Sequence, residues 1–568
     1  MKPSRLSAIS PIQASWALFA LPVLLLAWTV HDIVATYSAV PFNDQWANIW
    51  WWRQILKDGL TWSYLFSQHN EHRILFPRLV FLADLKWFQG RDILNLVAIG
   101  LIQLGAAAFY LKAADVRRLR PLGVLGAATA VGLMVCLLQW ENFFWGFQVQ
   151  FVGVYAAGAW AIYLFCVASQ EPGRVHWPTL LGALAVLTLA TFNMANGVFA
   201  GIAMVLVSVV TRRGLKAALV VAAATAVLVA IYLHGYQPVA NHSPPALAIQ
   251  HPGRYLSYVA AYLGNTWAQT DLIRAQVMGL IGVALTAAMA VTVFRDGGRH
   301  PGRTALFGLV LFVGMSAAVT SLGRLSFGVE QALSSRYVTP TSHFWAAQAL
   351  FWAVTAQDSR SMVRKLAVGS AVGLAFIMLF PLQKLGHEQV LGTRERIEIG
   401  TSVMLSGVPD EAAMRQIYPE ASMVEDLAPF LREQRLSVFA DDPGYLAGSA
   451  FARKVTAPDE HVCRGALDRL NPEPDGGRGW RADGWGWDLK RRGAFHHIVL
   501  VDDTGHVVGV AGTGGTPRGD VRKAVREVWA LDSGWVASAI RGSGREVVAY
   551  GLTRDGRACE LGRKAWPQ

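Results

Sequence analysis

Three carboxylates stand in polar stretches that adjoin long apolar runs: Asp44 in Pro41-Phe42-Asn43-Asp44-Gln45-Trp46, Glu71 in Ser67-Gln68-His69-Asn70-Glu71-His72-Arg73, and Glu141 in Gln139-Trp140-Glu141-Asn142. Cations accompany them: Arg73 and Arg78 beside Glu71, and Arg336-Tyr337 followed by Pro340 ahead of a late apolar run. This combination suits group transfer from a phosphorylated lipid, in which an acid takes a proton from an acceptor hydroxyl while guanidinium groups hold the leaving phosphate. Asp44 is the expected general base. Glu71 and Glu141 are expected to orient the acceptor or a cation, and Arg73, Arg78, Arg336 and Tyr337 to bind the phosphate. His69 and His72 are candidates for the acceptor or for a divalent cation; their spacing is not His-Glu-x-x-His, so the metal is left open. Structural roles compete with these assignments. Asn43-Asp44-Gln45 fits a helix N-cap, and Arg336 fits a side chain reaching for lipid headgroups. The chain contains no Gly-x-x-x-x-Gly-Lys-Ser/Thr loop, so nucleotide hydrolysis is not expected.

The elements that must position these groups are membrane helices. The 568 residues are 53% hydrophobic and only 16% charged, with mean hydropathy +0.32, against about 25% charged residues in soluble domains. Apolar runs of about 20 residues, enough to cross a bilayer core, occur near 14–36, 93–112, 121–139, 148–168, 176–194, 197–211, 215–234, 274–294, 304–322, 340–357 and 365–383. About eleven spans are expected on this pattern. The segment Asn193-Met194-Ala195-Asn196-Gly197 reads as a tight turn or as an unwound point in one broken helix. With eleven spans, Lys2 and Arg5, Arg117/Arg118/Arg120, Arg174, Arg212/Arg213/Lys216, Arg295/Arg299/Arg303 and Arg360/Arg364/Lys365 fall on one side. That side is cytoplasmic by the positive-inside bias. It accounts for the net charge of +12 without a nucleic-acid partner, and the three carboxylates fall outside. The long outer loop 235–273 carries His242, His251, Arg254, Tyr258 and Asp271, to which the sequence assigns no individual role, and the last outer loop adds Arg324.

After residue 383 the apolar runs stop. Residues 384–460 read as a polar helical connector, and 461–568 as an extracytoplasmic β-sandwich. Its short apolar runs, Phe495 to Val501, Val507 to Ala511, Trp535 to Ile540 and Val547 to Leu552, are separated by turn chemistry such as Asp502-Asp503-Thr504-Gly505. Cys463 and Cys559 bracket this tail, and an oxidising compartment would let them pair. Trp480, Trp485, Trp487, Trp529 and Trp535 fit either core packing or stacking on sugar rings.

On these residues the chain resembles the membrane-embedded C-type glycosyltransferases (GT-C), among them the protein O-mannosyltransferases and the lipid A aminoarabinose transferases. Asp44 in the first outer loop, with Trp46 following it, is similar in position to the acid of that family. Glu71 and Glu141 resemble its further acids, and Arg336-Tyr337 with Pro340 resembles an Arg-Tyr-x-x-Pro run found before a late span. The doubled acid of several members is absent, since Asn43 and Gln45 flank Asp44. The likeness spans roughly 14–383. It implies an inverting transfer from a polyprenyl-phosphate sugar to a glycan, lipid or protein hydroxyl, at the periplasmic face of a bacterial inner membrane. The competing expectations are a lipid-linked glycan polymerase or ligase, and a non-enzymatic flippase or transporter.

Overall fold

The computed structural model describes residues 11–239, 242–453, 455–456, 463–472, 479–512, 516–553 and 557–567. Lys2 and Arg5, which enter the charge bias, lie outside the described residues. Two compact units are present: one comprises 1–30, 62–79 and 96–387, the other 31–61, 80–95 and 388–568. The second therefore gathers two short N-terminal segments with the C-terminal third, a division finer than a cut near residue 383.

The first unit is a helical bundle. Among the described residues of the chain, eight helices are long and apolar enough to cross a membrane, where the sequence pattern gave about eleven: Ile12–Ala35, Ile93–Ala114, Pro121–Phe144, Gly146–Ala168, Leu215–Leu233, Leu272–Asp296, Pro301–Phe327 and Met362–Ser406. Their outward residues, such as Leu101, Leu219 and Leu280, are exposed, as expected where hydrocarbon rather than water is the solvent. These helices mark a multi-pass membrane protein.

The segment around Asn196 is a turn. The helices Trp177–Thr191 and Val198–Thr211 flank it, with 15 and 14 residues, too short at about 1.5 Å per residue to cross about 30 Å alone. A methyl group on Gly201 would lie 3.3 Å from Leu187 Cδ2, a contact that only a chain folding back on itself allows. At Gly197 the reversal is so tight that a Cβ would meet the Ala190 carbonyl oxygen at 2.2 Å. Elsewhere small residues let backbones touch: a Cβ on Gly279, in Leu272–Asp296, would fall 1.8 Å from the Ala260 carbonyl oxygen of the helix Pro252–Gly264.

In the second unit, the C-terminal end of the helix Met362–Ser406 packs on the strands. Ser402 Oγ donates to the Val510 carbonyl at 2.6 Å and accepts from Ser538 N–H at 2.8 Å. Arg394 and Glu398, buried one turn apart, form an ion pair, and Arg394 Nη1 also donates to the Thr36 carbonyl at 3.2 Å.

The tail departs from the expected sandwich. Its strands are β1 (Val455–Thr456), β2 (Cys463–Pro472), β3 (Trp480–Asp488), β4 (Gly493–Ala494), β5 (His497–Asp502), β6 (Val507–Gly512), β7 (Gly534–Ala539), β8 (Glu546–Leu552) and β9 (Ala558–Ala565). They form one sheet in the order β1-β9-β8-β5-β6-β7-β3-β2, with β4 beside β3. Every pair is antiparallel except β1 with β9. The sheet curls until β2 meets β9, where a Cβ on Gly562 would lie 2.9 Å from the Leu467 amide nitrogen. The Cys463–Cys559 disulfide joins these two strands with Cα atoms 6.7 Å apart. The domain is nearly a barrel; its strand lengths and turn spacing serve either architecture equally, which is why the sequence did not separate them. Trp535 lies in the core with Ile498, Leu500 and Val547, while Trp487 is buried with Val521 and Ala530. Neither indole is available to a sugar. Trp480 packs edge-on against Trp566 at 5.1 Å, Trp485 is half-buried under Arg518, and the Trp529 side chain lies outside the described residues.

Candidate functional site

In the first unit a two-residue reversal presents Glu71. His69 and His72 exchange backbone hydrogen bonds of 2.7 and 2.9 Å, and Asn70 takes a left-handed conformation, φ 49°, which asparagine tolerates better than most residues. Two buried arginines brace this loop. Arg73 donates from Nε to the Tyr232 carbonyl at 2.7 Å, from Nη2 to His234 O at 2.5 Å and from Nη1 to Phe66 O. Arg78 Nη1 reaches the carbonyls of Tyr64, Leu65 and Ser67 at 2.7, 3.1 and 2.6 Å. Both guanidinium groups, expected at a phosphate, are engaged with main-chain carbonyls that would otherwise be buried without donors.

Glu71 is approached by groups from distant parts of the chain. Its Oε1 lies 3.1 Å from Arg324 Nη2 and 3.5 Å from His72 Nε2, and its Oε2 lies 3.2 Å from His242 Nε2. Arg324 ends the helix Pro301–Arg324. His242 is held over that helix end because Ser243 N–H donates to Gly323 O at 3.0 Å and Ser243 Oγ bonds Ser326 Oγ at 2.8 Å. Burial opposes ionisation of Glu71, but His72, Arg324, a backbone N–H and His242 outweigh it and hold the carboxyl down at about 2. Burial also pushes His72 down, to about 4, against the pull of Glu71. At pH 7 His72 is therefore neutral, and Arg324 is the permanent cation that keeps Glu71 charged. Ala195 N–H points at His72 Nδ1 from 3.4 Å. That contact favours the tautomer whose Nε2 proton faces Glu71.

Glu141 forms a second carboxylate–guanidinium pair. Its Oε1 lies 3.3 Å from Arg336 Nε, and its Oε2 accepts from the Ser335 hydroxyl. Asn142 fixes the opposing segment by donating to Arg336 O at 2.8 Å and to Thr339 Oγ1 at 2.7 Å. Tyr337 lies between the two pairs electrostatically. Burial raises its phenol, Arg336 and Arg324 lower it, and Glu71 raises it, so both arginines and Glu71 act on one hydroxyl. Its ring stands 4.7 Å from that of Tyr262. Tyr258, whose hydroxyl donates to Gln331 at 3.1 Å, feels the same two arginines after burial and Tyr337 itself. The result is a patch of alternating charge with neutral phenols and a neutral imidazole, able to hold a phosphate near an ionised carboxylate.

His69, grouped with His72 in the sequence reading, packs its ring against Phe147, tilted by 55° with centroids 5.0 Å apart. Among the described residues, no group of three or more His, Cys, Asp or Glu side chains is arranged to hold a metal ion. His242, Arg324 and Ser335 join the site from loops that the sequence flagged as polar without giving these residues roles; only pairing across 253 positions brings Arg324 to Glu71.

Asp44 belongs to the second unit. It precedes the helix Gln45–Asp58 in the cap position, yet its side chain makes no capping hydrogen bond. Gln45 braces the turn instead, accepting from Phe42 N–H at 2.8 Å and donating to Asp92 at 2.6 Å. The Asp44 carboxylate stays half-buried and, after burial and Glu420, raises the Tyr418 phenol. Compared with protein-family models, with curated proteins and with solved structures, the chain gives no match.

Proposed function

We propose that this protein is a membrane-embedded glycosyltransferase of the C type, moving a sugar from a polyprenyl-phosphate donor to an acceptor hydroxyl. In the reaction, a carboxylate takes the acceptor proton and the acceptor oxygen bonds the anomeric carbon. The bond from that carbon to the phosphate oxygen breaks, and polyprenyl phosphate leaves with the added negative charge. The observation that carries this reading is the pair of carboxylate–guanidinium contacts, Glu71–Arg324 and Glu141–Arg336, whose two arginines both act on the phenol of Tyr337. A charge that grows on a leaving phosphate is stabilised by fixed guanidinium groups that need not reorganise. In this reading Arg324 takes the place that the spacing of polar residues gave to Arg73 and Arg78. Asp44, which belongs to the second unit, is retained as the proposed base on its place in the sequence alone.

The proposal includes a bacterial inner membrane, with a cytoplasmic N-terminus and a periplasmic C-terminal domain. The disulfide of that domain fits an oxidising compartment. The test is to incubate purified protein with a panel of polyprenyl-phosphate sugars and measure released polyprenyl phosphate. Turnover is expected with at least one donor, and Asp44→Asn is expected to reduce it by at least about a hundredfold with expression and membrane insertion unchanged. Full turnover by that variant removes Asp44 from the mechanism. If no donor is consumed while lipid-linked sugar crosses reconstituted vesicles, the chain is a transporter.

A further inference from the structure

A basic feature of the first unit lies at the end of the helix Pro301–Arg324 away from Arg324 and Glu71. Three inter-helix loops meet there around a pocket of about 530 Å³. The first follows the helix Val149–Ala168, the second follows Val198–Thr211, and the third precedes Pro301–Arg324. Pro301–Arg324 has its other end at the candidate site, where Arg324 meets Glu71. Pro301–Arg324, with 24 residues, separates the two ends by about 36 Å at about 1.5 Å per residue, a bilayer thickness.

The pocket is lined by six cations, Arg174, Arg212, Arg213, Lys216, Arg295 and Arg299, and by one carboxylate, Asp296. That carboxylate is engaged by Arg303, whose Nη2 lies 2.8 Å from it. The loops are fixed against one another. Arg213 Nη1 donates to the Gln170 carbonyl at 2.9 Å. Gly298, at φ +67°, sits so close to the second loop that a Cβ would lie 2.8 Å from Thr211 Cγ2. Immediately beside the cations are exposed apolar side chains: Leu215, which lines the pocket, Trp177, and Phe294, whose ring lies 5.5 Å from the Arg212 guanidinium. Arg174 pairs with Glu171 at 3.6 Å; the other like charges, held together by packed loops, repel unless an anion neutralises them, and here the anion must tolerate apolar neighbours on one side.

We infer that this pocket binds the phosphate headgroup of an anionic membrane lipid, with the acyl chains lying along the exposed apolar residues of the adjoining helix ends. The chemistry is that of guanidinium groups around a phosphodiester at the level where hydrocarbon gives way to water. The site is independent of the transfer reaction: its residues are separate from those proposed to act there.

The test uses the full chain purified in detergent and native mass spectrometry with added phosphatidylglycerol or phosphatidylcholine. Phosphatidylglycerol should be retained in preference to phosphatidylcholine. The triple variant Arg174→Gln/Arg295→Gln/Arg299→Gln should lose that preference by about fivefold per cation removed, about a hundredfold in all. The matched Arg→Lys triple variant, which keeps the charge, should retain most of it and controls for folding. Equal retention of the two lipids, or an unchanged preference in the Gln variant, overturns the inference. Displacement of phosphatidylglycerol by millimolar inorganic phosphate also overturns it, since the pocket would then serve a free phosphate compound.

Discussion

Arg324→Gln removes the permanent cation from Glu71 while leaving its carboxylate half-buried beside a neutral His72. The carboxyl is held at about 2 against an ordinary 4.5, which corresponds to about 3 kcal/mol in favour of the ionised folded form. His72, Arg324, a backbone N–H and His242 share this effect, so removing Arg324 should cost part of it, on the order of 1 kcal/mol, or about fivefold in the ratio of folded to unfolded protein. Because this pKa is depressed on folding, the stabilisation is complete above the ordinary carboxyl value of 4.5 and is lost as pH falls towards about 2. In the variant, burial acts with less opposition, so the carboxyl protonates at higher pH and the loss of stability moves upward with it. Difference infrared titration against Glu71→Gln isolates this carboxyl, and unfolding by sodium dodecyl sulfate at several pH values reads the stability. The double variant Glu71→Gln/Arg324→Gln should recover part of the loss, since no unpaired charge is left buried. If the titration of Glu71 and the stability at pH 7 are both unchanged in Arg324→Gln, the ion pair is not what holds this site.

Arg78→Gln should cost about 2–4 kcal/mol in the same unfolding assay, because three carbonyls lose their donor, while KM for the lipid donor stays constant per folded molecule. A raised KM at unchanged stability would return Arg78 to the phosphate site. Reducing the Cys463–Cys559 bond, which spans 96 positions, should destabilise the C-terminal domain by about 4–5 kcal/mol, with no change in the helical content of the bundle. An unaltered melting transition of that domain would show that the curled sheet closes without its covalent seam.

Composition and hydropathy alone established a multi-pass helical chain with a separate β-rich tail and one cysteine pair in it, because these are properties of local sequence: how long an apolar run is, where basic residues fall and how often turn residues recur. They also picked out Glu71, Glu141 and Arg336 as polar groups that a membrane bundle does not need for packing. The partners of those groups were not legible. Arg73 and Arg78 are nearest to Glu71 in sequence, yet their guanidinium groups face the carbonyls of Phe66, Tyr64 and Ser67, and the cation that reaches Glu71 comes from the far end of another helix. The side on which a long side chain finds unsatisfied acceptors depends on the path of the backbone around it, which sequence spacing does not encode. The single curled sheet was hidden for a related reason. Strand length and turn chemistry fix each hairpin, but whether the outer strands meet is decided by accumulated twist and by the contact of β2 with β9, which only the folded chain brings about.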